Sequence, residues 1–257
     1  MINIAILGKR GSGKTSFLLN ALAPIKIGGL DDVCGGCQYV IMNEDEQKIY
    51  SKKLKILQKG NDIEQTNGVN ETIVAFCSEE EKIQEVTFWE LGGVTLEFSK
   101  IDFESQLSNC FTQMFGGKKG IDFDGYIFFE DAQNFGISED ISYLSFSHRF
   151  SEYLDLADRV KKPVLLLCTK RHRRLLEQSL FARFQDNFKL DILAHYAFFD
   201  FEWKERESVV NSKYILSKFL EFIAENSRRS TLGKRISLYN NNLKSYTTLY
   251  KGMDENE

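Results

Sequence analysis

The stretch MINIAILGKRGSGKTSFLLNAL, residues 1–22, decides the fold of this chain. Residues 1–7 form a short apolar run typical of a strand, and residues 16–22 predict the first turns of a helix. Between them, Gly8 to Thr15 match the pattern G-x-x-x-x-G-K-[ST]. A strand, a glycine-rich turn and a helix in this order are the context in which the pattern forms a phosphate-binding loop.

The residue types in this loop explain the chemistry that it predicts. Glycines let the chain wrap tightly, so that backbone N–H groups and the helix N-terminus point at one anion. Lys14 would neutralise the β- and γ-phosphates of a nucleotide, and the Thr15 hydroxyl would bind Mg2+. The alternative, a chance glycine loop on a globular surface, agrees less well with the flanking strand and helix. The predicted phosphate-binding residues are Gly8, Lys9, Arg10, Gly11, Ser12, Gly13, Lys14, Thr15 and Ser16.

Composition narrows the class of protein. The chain has 257 residues, of which 42% are hydrophobic, so a single domain with a large core can form. Its net charge of −4 argues against a nucleic-acid binder, which would usually carry a basic surface. We expect no signal peptide and no direct membrane anchor, because the chain starts in a core strand and has neither a long apolar run nor a lipidation motif. The five cysteines, an odd number, favour a reducing, cytoplasmic compartment.

Strands alternate with helices along the chain. This order predicts an α/β fold with a doubly wound, mostly parallel sheet, in which ligands bind at the carboxyl ends of the strands. We expect one domain over residues 1–225, with an extended insertion at residues 23–65, and a polar tail at residues 226–257 that is extended or disordered when alone. Predicted strands cover residues 1–7, 38–42, 69–76, 85–89, 124–129, 164–168 and 192–199. Predicted helices cover 44–58, 103–115, 141–160, 171–188 and 209–223.

Cys34 and Cys37 have the spacing of half a zinc site. No second Cys or His pair follows at the spacing of a zinc finger, so a loop with two incidental thiols is the favoured interpretation. Metal binding by this pair is left open.

Three later motifs resemble those of the small GTPase superfamily. Trp89-Glu90-Leu91-Gly92-Gly93 stands where these proteins carry D-x-x-G, Thr66 resembles their switch threonine, and Thr169-Lys170 stands where they carry N-K-x-D. With the phosphate-binding loop, the order resembles divergent Arf- and Rab-like proteins over residues 1 to about 225. The stretch 88–93 also resembles the GTPase-like domain of ciliary dynein light intermediate chains.

The resemblance implies a ligand and a setting. It implies binding of GTP or GDP with Mg2+, the metal being held by Thr15, Thr66 and Glu90 and the base lying beside Thr169 and Lys170. It also implies a cytoplasmic protein, with a ciliary or cytoskeletal location and a role in intracellular transport as one setting.

Departures from the family pattern predict slow GTP hydrolysis. Glu90 is one methylene longer than the usual aspartate, and Val94 stands where a glutamine usually orients the attacking water. Arg10, which replaces a glycine preferred in Ras-type loops, is the one candidate catalytic residue, because its side chain would either stabilise charge at the γ-phosphate or block an arginine supplied by a partner. His172 replaces the aspartate that accepts two hydrogen bonds from guanine, and a neutral histidine accepts at most one.

We therefore expect an atypical small GTPase-like protein with weak or absent GTPase activity, acting as a switch or a structural adaptor. Expected surfaces for protein partners are residues 23–65, the region after Gly93 and the C-terminal tail. Two alternatives remain open: an ATPase or kinase with the same loop, and an interaction module that has kept the fold without binding nucleotide.

Overall fold

The computed structural model describes residues 1–8, 10–23, 26–27, 30–31, 37–59, 63, 69–78, 82–91, 121–131, 162–169, 197–198, 205–227, 232–238 and 240–241. In chain order its elements are β1 (Ile2–Gly8), α1 (Lys14–Leu22), β2 (Lys26–Ile27), β3 (Leu30–Asp31), β4 (Cys37–Ile41), α2 (Glu44–Gln58), β5 (Val69–Ser78), β6 (Lys82–Leu91), β7 (Gly125–Asp131), β8 (Val164–Thr169), β9 (Ala197–Phe198) and α3 (Glu205–Asn226).

Within the described ranges, seven strands form the central sheet in the order β4-β5-β6-β1-β7-β8-β9. The neighbouring strands in the order β6-β1-β7-β8-β9 pair in parallel. At the other end of the sheet, β5 pairs antiparallel with both of its neighbours, β4 and β6. At the centre, Ile4 of β1 lies between Phe88 of β6 and Gly125 of β7. The carboxyl ends of β1, β6, β7 and β8 therefore meet at one edge, where β1 leads into the glycine-rich loop.

Strand β1 is buried on both faces, as a central parallel strand must be. On one face Ile2, Ile4 and Ile6 join the core cluster together with Phe17 of α1 and Phe219 of α3. On the opposite face Ala5 and Leu7 are also buried. The apolar run of residues 2–7 is thus explained by its place at the middle of the sheet.

The sheet agrees closely with the sequence prediction. The strands predicted at 1–7, 38–42, 69–76, 85–89, 124–129 and 164–168 correspond to β1, β4, β5, β6, β7 and β8. The helices predicted at 44–58 and 209–223 correspond to α2 and α3. The predicted α/β fold class is therefore confirmed. Of the strand predicted at 192–199 the structure describes β9 alone, and the helices predicted at 103–115, 141–160 and 171–188 lie outside the described residues.

The insertion adds ordered structure to one edge of the sheet. Strand β4 pairs antiparallel with β5, so it extends the sheet, and α2 follows directly. Asn43 starts the helix, because its side-chain oxygen accepts hydrogen bonds from the backbone N–H groups of Asp45 and Glu46 at 2.9 and 3.2 Å. Acidic residues fill the first turn, where the helix dipole favours negative charge.

The expectation of an extended or disordered tail is wrong for residues 232–238, which are helical. Leu232 and Ile236 lie four residues apart on one helical face and belong to the core cluster that contains α3. Beyond them, the Asn240 side chain donates to the Glu221 carboxylate of α3 at 2.8 Å. The average composition of this stretch is polar, and the prediction therefore missed two apolar residues, Leu232 and Ile236, that have helical spacing. In the described part of the chain, no helix has both the length and the apolar character needed to cross a membrane.

Candidate phosphate-binding site

The loop between β1 and α1 has the backbone that only glycine adopts easily. Gly8, Gly11 and Gly13 all have positive φ angles, of 147°, 77° and 88°. Gly13 stands at the N-terminus of α1 in the left-handed conformation. A Cβ on Gly8 would lie 2.5 Å from the backbone oxygen of Phe129, so the neighbouring strand β7 also requires glycine there. The match to the glycine pattern therefore has a steric cause at these positions.

Lys14, the first residue of α1, closes this loop. Its Nζ donates to the backbone oxygen of Gly8 at 2.8 Å, and the side chain is only 5% exposed. Burial lowers the pKa of Lys14, while the negative charge of Glu90 raises it and offsets part of that shift. A desolvated ammonium at a helix N-terminus attracts an anion more strongly than one in bulk water, because the local dielectric is lower.

Thr15 and Glu90 meet beside Lys14. The Thr15 hydroxyl donates to a Glu90 carboxylate oxygen at 2.5 Å, and Glu90 is 3% exposed. Glu90 lies near the end of β6 and pairs with Ile6 of β1, so the sheet register brings it to the loop. The motifs at residues 8–15 and 89–93, far apart in the sequence, thus converge in space.

These two side chains fit a magnesium ion. Mg2+ prefers hard oxygen ligands, takes one or two from the protein, and completes its shell with water and phosphate oxygens. A hydroxyl and a carboxylate that converge beside a phosphate-binding loop supply such ligands. In the ranges that the structure covers, no three His, Cys, Asp or Glu side chains form a cluster that could hold a metal alone.

The other predicted site residues are placed in part. Arg10 is exposed in the turn and Ser16 is half-buried in α1. Thr169 ends β8, whose Leu167 aligns with Phe129 of β7, so the backbone of Thr169 lies at the same edge of the sheet as Gly8. Other predictions concern residues outside those that the structure describes: Lys9, Thr66, Lys170, Gly92, Gly93, Val94, His172 and Cys34, and the side chains of Cys37 and Thr169.

Two further residues near the site were not predicted. Tyr50 of α2 and Thr72 of β5 share a hydrogen bond of 3.1 Å between their hydroxyl oxygens. Burial raises the pKa of Tyr50, the bond with Thr72 lowers it, and the negative charge of Glu90 raises it further. No sequence signal links these residues to Glu90, because Thr72 is placed by the pairing of β5 with β6 and Tyr50 by the packing of α2 against the sheet.

The fold and the site define a class: an α/β protein with a mostly parallel central sheet and a glycine-rich loop between its central strand and the following helix. No protein-family model matches the chain, and no curated protein matches its sequence. Among solved structures, the Arl6 BBS3 small GTPase from Trypanosoma brucei with bound nucleotide analogue GppNp matches at 13% sequence identity with a TM-score of 0.43. That match covers 87% of this chain and 98% of the other. The resemblance to dynein light intermediate chains rests on residues 88–93 alone.

Proposed function

We propose that this protein binds a purine nucleoside diphosphate or triphosphate, GTP or GDP by preference, together with Mg2+ in the loop of residues 8–16. The observation that carries the proposal is the convergence of Lys14, Thr15 and Glu90 at the N-terminus of α1. The buried Lys14 ammonium and the N-terminus of α1 both attract anions, which favours phosphate binding. The Thr15 hydroxyl and the Glu90 carboxylate favour a metal ion bound to that phosphate.

Each residue has a distinct task in this proposal. The loop N–H groups and the Lys14 ammonium bind the phosphate oxygens, and on binding Lys14 would exchange its contact with the Gly8 oxygen for a charged one. Thr15 and Glu90 would hold Mg2+, with Thr66 as a further ligand in the triphosphate state. Bound Mg2+ would neutralise charge on the phosphates. Thr169 and Lys170 would border the base.

We propose further that turnover is slow and that the protein acts as a switch or a structural adaptor. Val94 cannot orient an attacking water, and the exposed Arg10 would obstruct an arginine offered by a partner. Unaided hydrolysis should be no faster than the roughly 10⁻⁴ s⁻¹ of Ras without its activating protein. A single-turnover rate near about 1 s⁻¹, typical of a dedicated enzyme, would contradict this proposal and favour an ATPase or kinase.

Protein partners would engage residues 23–65, the region after Gly93 and the C-terminal tail, in a cytoplasmic assembly such as those of intracellular or ciliary transport. The support for this setting is the family resemblance described above. The ordered β4 and α2 supply a surface in the first of these regions.

The binding proposal is tested by releasing nucleotide from the purified protein with heat and identifying it by chromatography. Wild-type protein should release nucleotide, and Lys14→Ala should not, because a charge-assisted hydrogen bond contributes about 1.5–3 kcal/mol. Lys59→Ala removes an exposed lysine at the end of α2 and serves as the matched control. Equal retention by wild type and Lys14→Ala would refute the role of this loop.

The base is identified by the same chromatogram and by titration with GTP and ATP. We expect weaker discrimination than in an ordinary small GTPase, because His172 replaces an acidic acceptor. A site that pairs every polar group of its ligand discriminates by about 10⁴-fold or more, and a site that lacks an acceptor should not. A strong preference for GTP would show that another residue supplies the acceptor.

A further inference from the structure

Helix α2, which belongs to the insertion, lies beside the site without being tightly packed. None of the α2 side chains described by the structure is fully buried. A cavity of about 250 Å³ separates the helix from the end of α1 and from β4. The cavity is lined mainly by apolar groups: Leu19, Leu22, Ala23, Tyr39, Val40, Ile41, Gln47, Tyr50, Ser51 and Leu54. Close packing of apolar side chains therefore does little to hold the helix in its place.

Two side-chain hydrogen bonds join α2 to the sheet in the part of the chain that is described. Gln47 Nε2 donates to the backbone oxygen of Ile41 at 2.6 Å, at the beginning of the helix. The Tyr50 hydroxyl and Thr72 Oγ1 are 3.1 Å apart, in the middle of the helix. The first bond links α2 to the strand that directly precedes it, so it fixes the entry to the helix. The second reaches across to β5 and orients the helix over the sheet.

The second bond lies in the same layer as the Thr15–Glu90 pair. Thr72 is paired with Phe88 in the antiparallel ladder, and Glu90 is two residues further along β6. Cross-strand partners and alternate residues of a strand point to one face of the sheet, so Thr72 and Glu90 share a face. That face is the one on which α1 lies, because Thr15 of α1 bonds to Glu90. Glu90 therefore lies on the sheet face to which the Tyr50–Thr72 bond ties α2.

We propose that Tyr50 is a positioning residue for the magnesium ligands. Through Thr72 it ties α2 to β5, the strand beside β6, on the sheet face that carries Glu90, and so restricts movement of the carboxylate that accepts from Thr15. A carboxylate kept dry and oriented by a second layer of residues binds metal more tightly than a mobile, hydrated one. The inference rests on the proposed function and assigns part of it to the insertion.

The test compares Tyr50→Phe with Tyr39→Phe. Both variants keep the ring, and both residues line the same cavity. The Tyr39 hydroxyl and Ser217 Oγ of α3 share a hydrogen bond of 2.9 Å. Tyr39→Phe therefore loses a hydroxyl–hydroxyl bond to α3, whereas Tyr50→Phe loses one to β5. Retention of mant-GDP and mant-ADP is measured as a function of Mg2+ concentration and again in EDTA. Tyr50→Phe should raise the Mg2+ concentration needed for half-maximal retention by up to about 10-fold, the lower end of the effect of removing a direct partner of a metal ligand, because Tyr50 acts on Glu90 only through Thr72 and β5. Tyr39→Phe should leave it at the wild-type value, and retention in EDTA should be the same for all three proteins.

Thr72→Val removes the other partner of the bond and should reproduce the shift. The double variant Tyr50→Phe/Thr72→Val should show no further shift, because the two changes break one interaction. A wild-type Mg2+ dependence in Tyr50→Phe, or equal shifts in Tyr50→Phe and Tyr39→Phe, would overturn the proposal.

A second measurement needs no nucleotide. Hydrogen exchange is followed in the backbone amides of α2 and of residues 86–91, in nucleotide-free protein. Exchange in both segments should be faster in Tyr50→Phe than in Tyr39→Phe, because only the first variant loses the bond that ties α2 to β5, the strand paired with β6. Equal exchange in the two variants would overturn the positioning role. Absence of nucleotide binding by the wild type would refute the proposed function instead, so the two failures are distinguishable.

Discussion

The substitution Gly125→Ala should destabilise the protein by packing alone. Gly125 begins β7 and lies under α3. A Cβ added there would lie 2.8 Å from Ile223 Cδ1, 3.0 Å from Phe219 Cζ and 3.2 Å from the backbone oxygen of Pro163. Its backbone is not among those with positive φ, so alanine adds no backbone strain. The new methyl group must instead push two core side chains away from the sheet.

The magnitude follows from these distances. Carbon atoms that are not bonded to each other lie about 3.5–4.0 Å apart at their optimal separation, so both side chains must retreat by roughly 0.5–1 Å. Phe219 is fully buried and Ile223 nearly so, so neither has free space beside it. Such overpacking costs about 1–3 kcal/mol. The lower entropy of the unfolded alanine chain returns about 0.4–1 kcal/mol. We expect a net loss of about 1–2 kcal/mol in the free energy of unfolding.

Gly233→Ala is the matched control. Gly233 lies in the helical residues 232–238, and its added Cβ would meet Glu225 Cγ at 3.6 Å and Ala224 Cβ at 3.9 Å, which are ordinary contacts. Alanine is favoured over glycine in a helix by about 1 kcal/mol, so this variant should be more stable than wild type. Urea unfolding followed by circular dichroism measures both changes. A Gly125→Ala variant as stable as the wild type would refute the close approach of α3 to β7.

Three further predictions follow from buried groups. Lys213→Met should lower the free energy of unfolding by about 1.5–3 kcal/mol in urea, because the Lys213 Nζ donates to the backbone oxygen of Ala21 at 3.0 Å in a buried position at the end of α1; an unchanged midpoint would contradict this. Gly8→Ala should abolish nucleotide retention in the chromatographic assay, since the loop cannot keep its φ of 147° or its distance from β7; full retention would show that the loop adapts. Burial alone would raise the pKa of Glu221, but hydrogen bonds from neighbouring side chains outweigh it and hold the pKa below the usual 4.5. Its contribution to stability is therefore present above pH 4.5 and lost as the pH falls through the lower folded value, and Glu221→Gln should remove this part of the acid dependence of urea unfolding.

Local sequence was sufficient to predict the glycine-rich loop between β1 and α1 and most of the sheet. The glycines of residues 8–13 have a local reason, because positive φ angles at a strand-to-helix turn admit few other residues. Strands β1, β7 and β8 are buried on both faces, and such strands are recognised in a sequence as continuous apolar runs. The helix at 232–238 was missed, because two apolar residues in a polar stretch are too weak a local signal.

The arrangement around Glu90 was decided by tertiary structure alone. Sequence placed Glu90 at the end of a strand, and the register of β6 with β1 brought it to Thr15. The proposed positioning role of Tyr50 depends on how α2 lies against β5. The spacing of apolar residues along the sequence predicts neither this arrangement nor the cavity beside the helix. Local propensity determines whether a segment is helix or strand, because neighbouring residues control backbone torsions. Which side chains meet across a sheet depends on long-range packing, and that is determined only when the whole core forms.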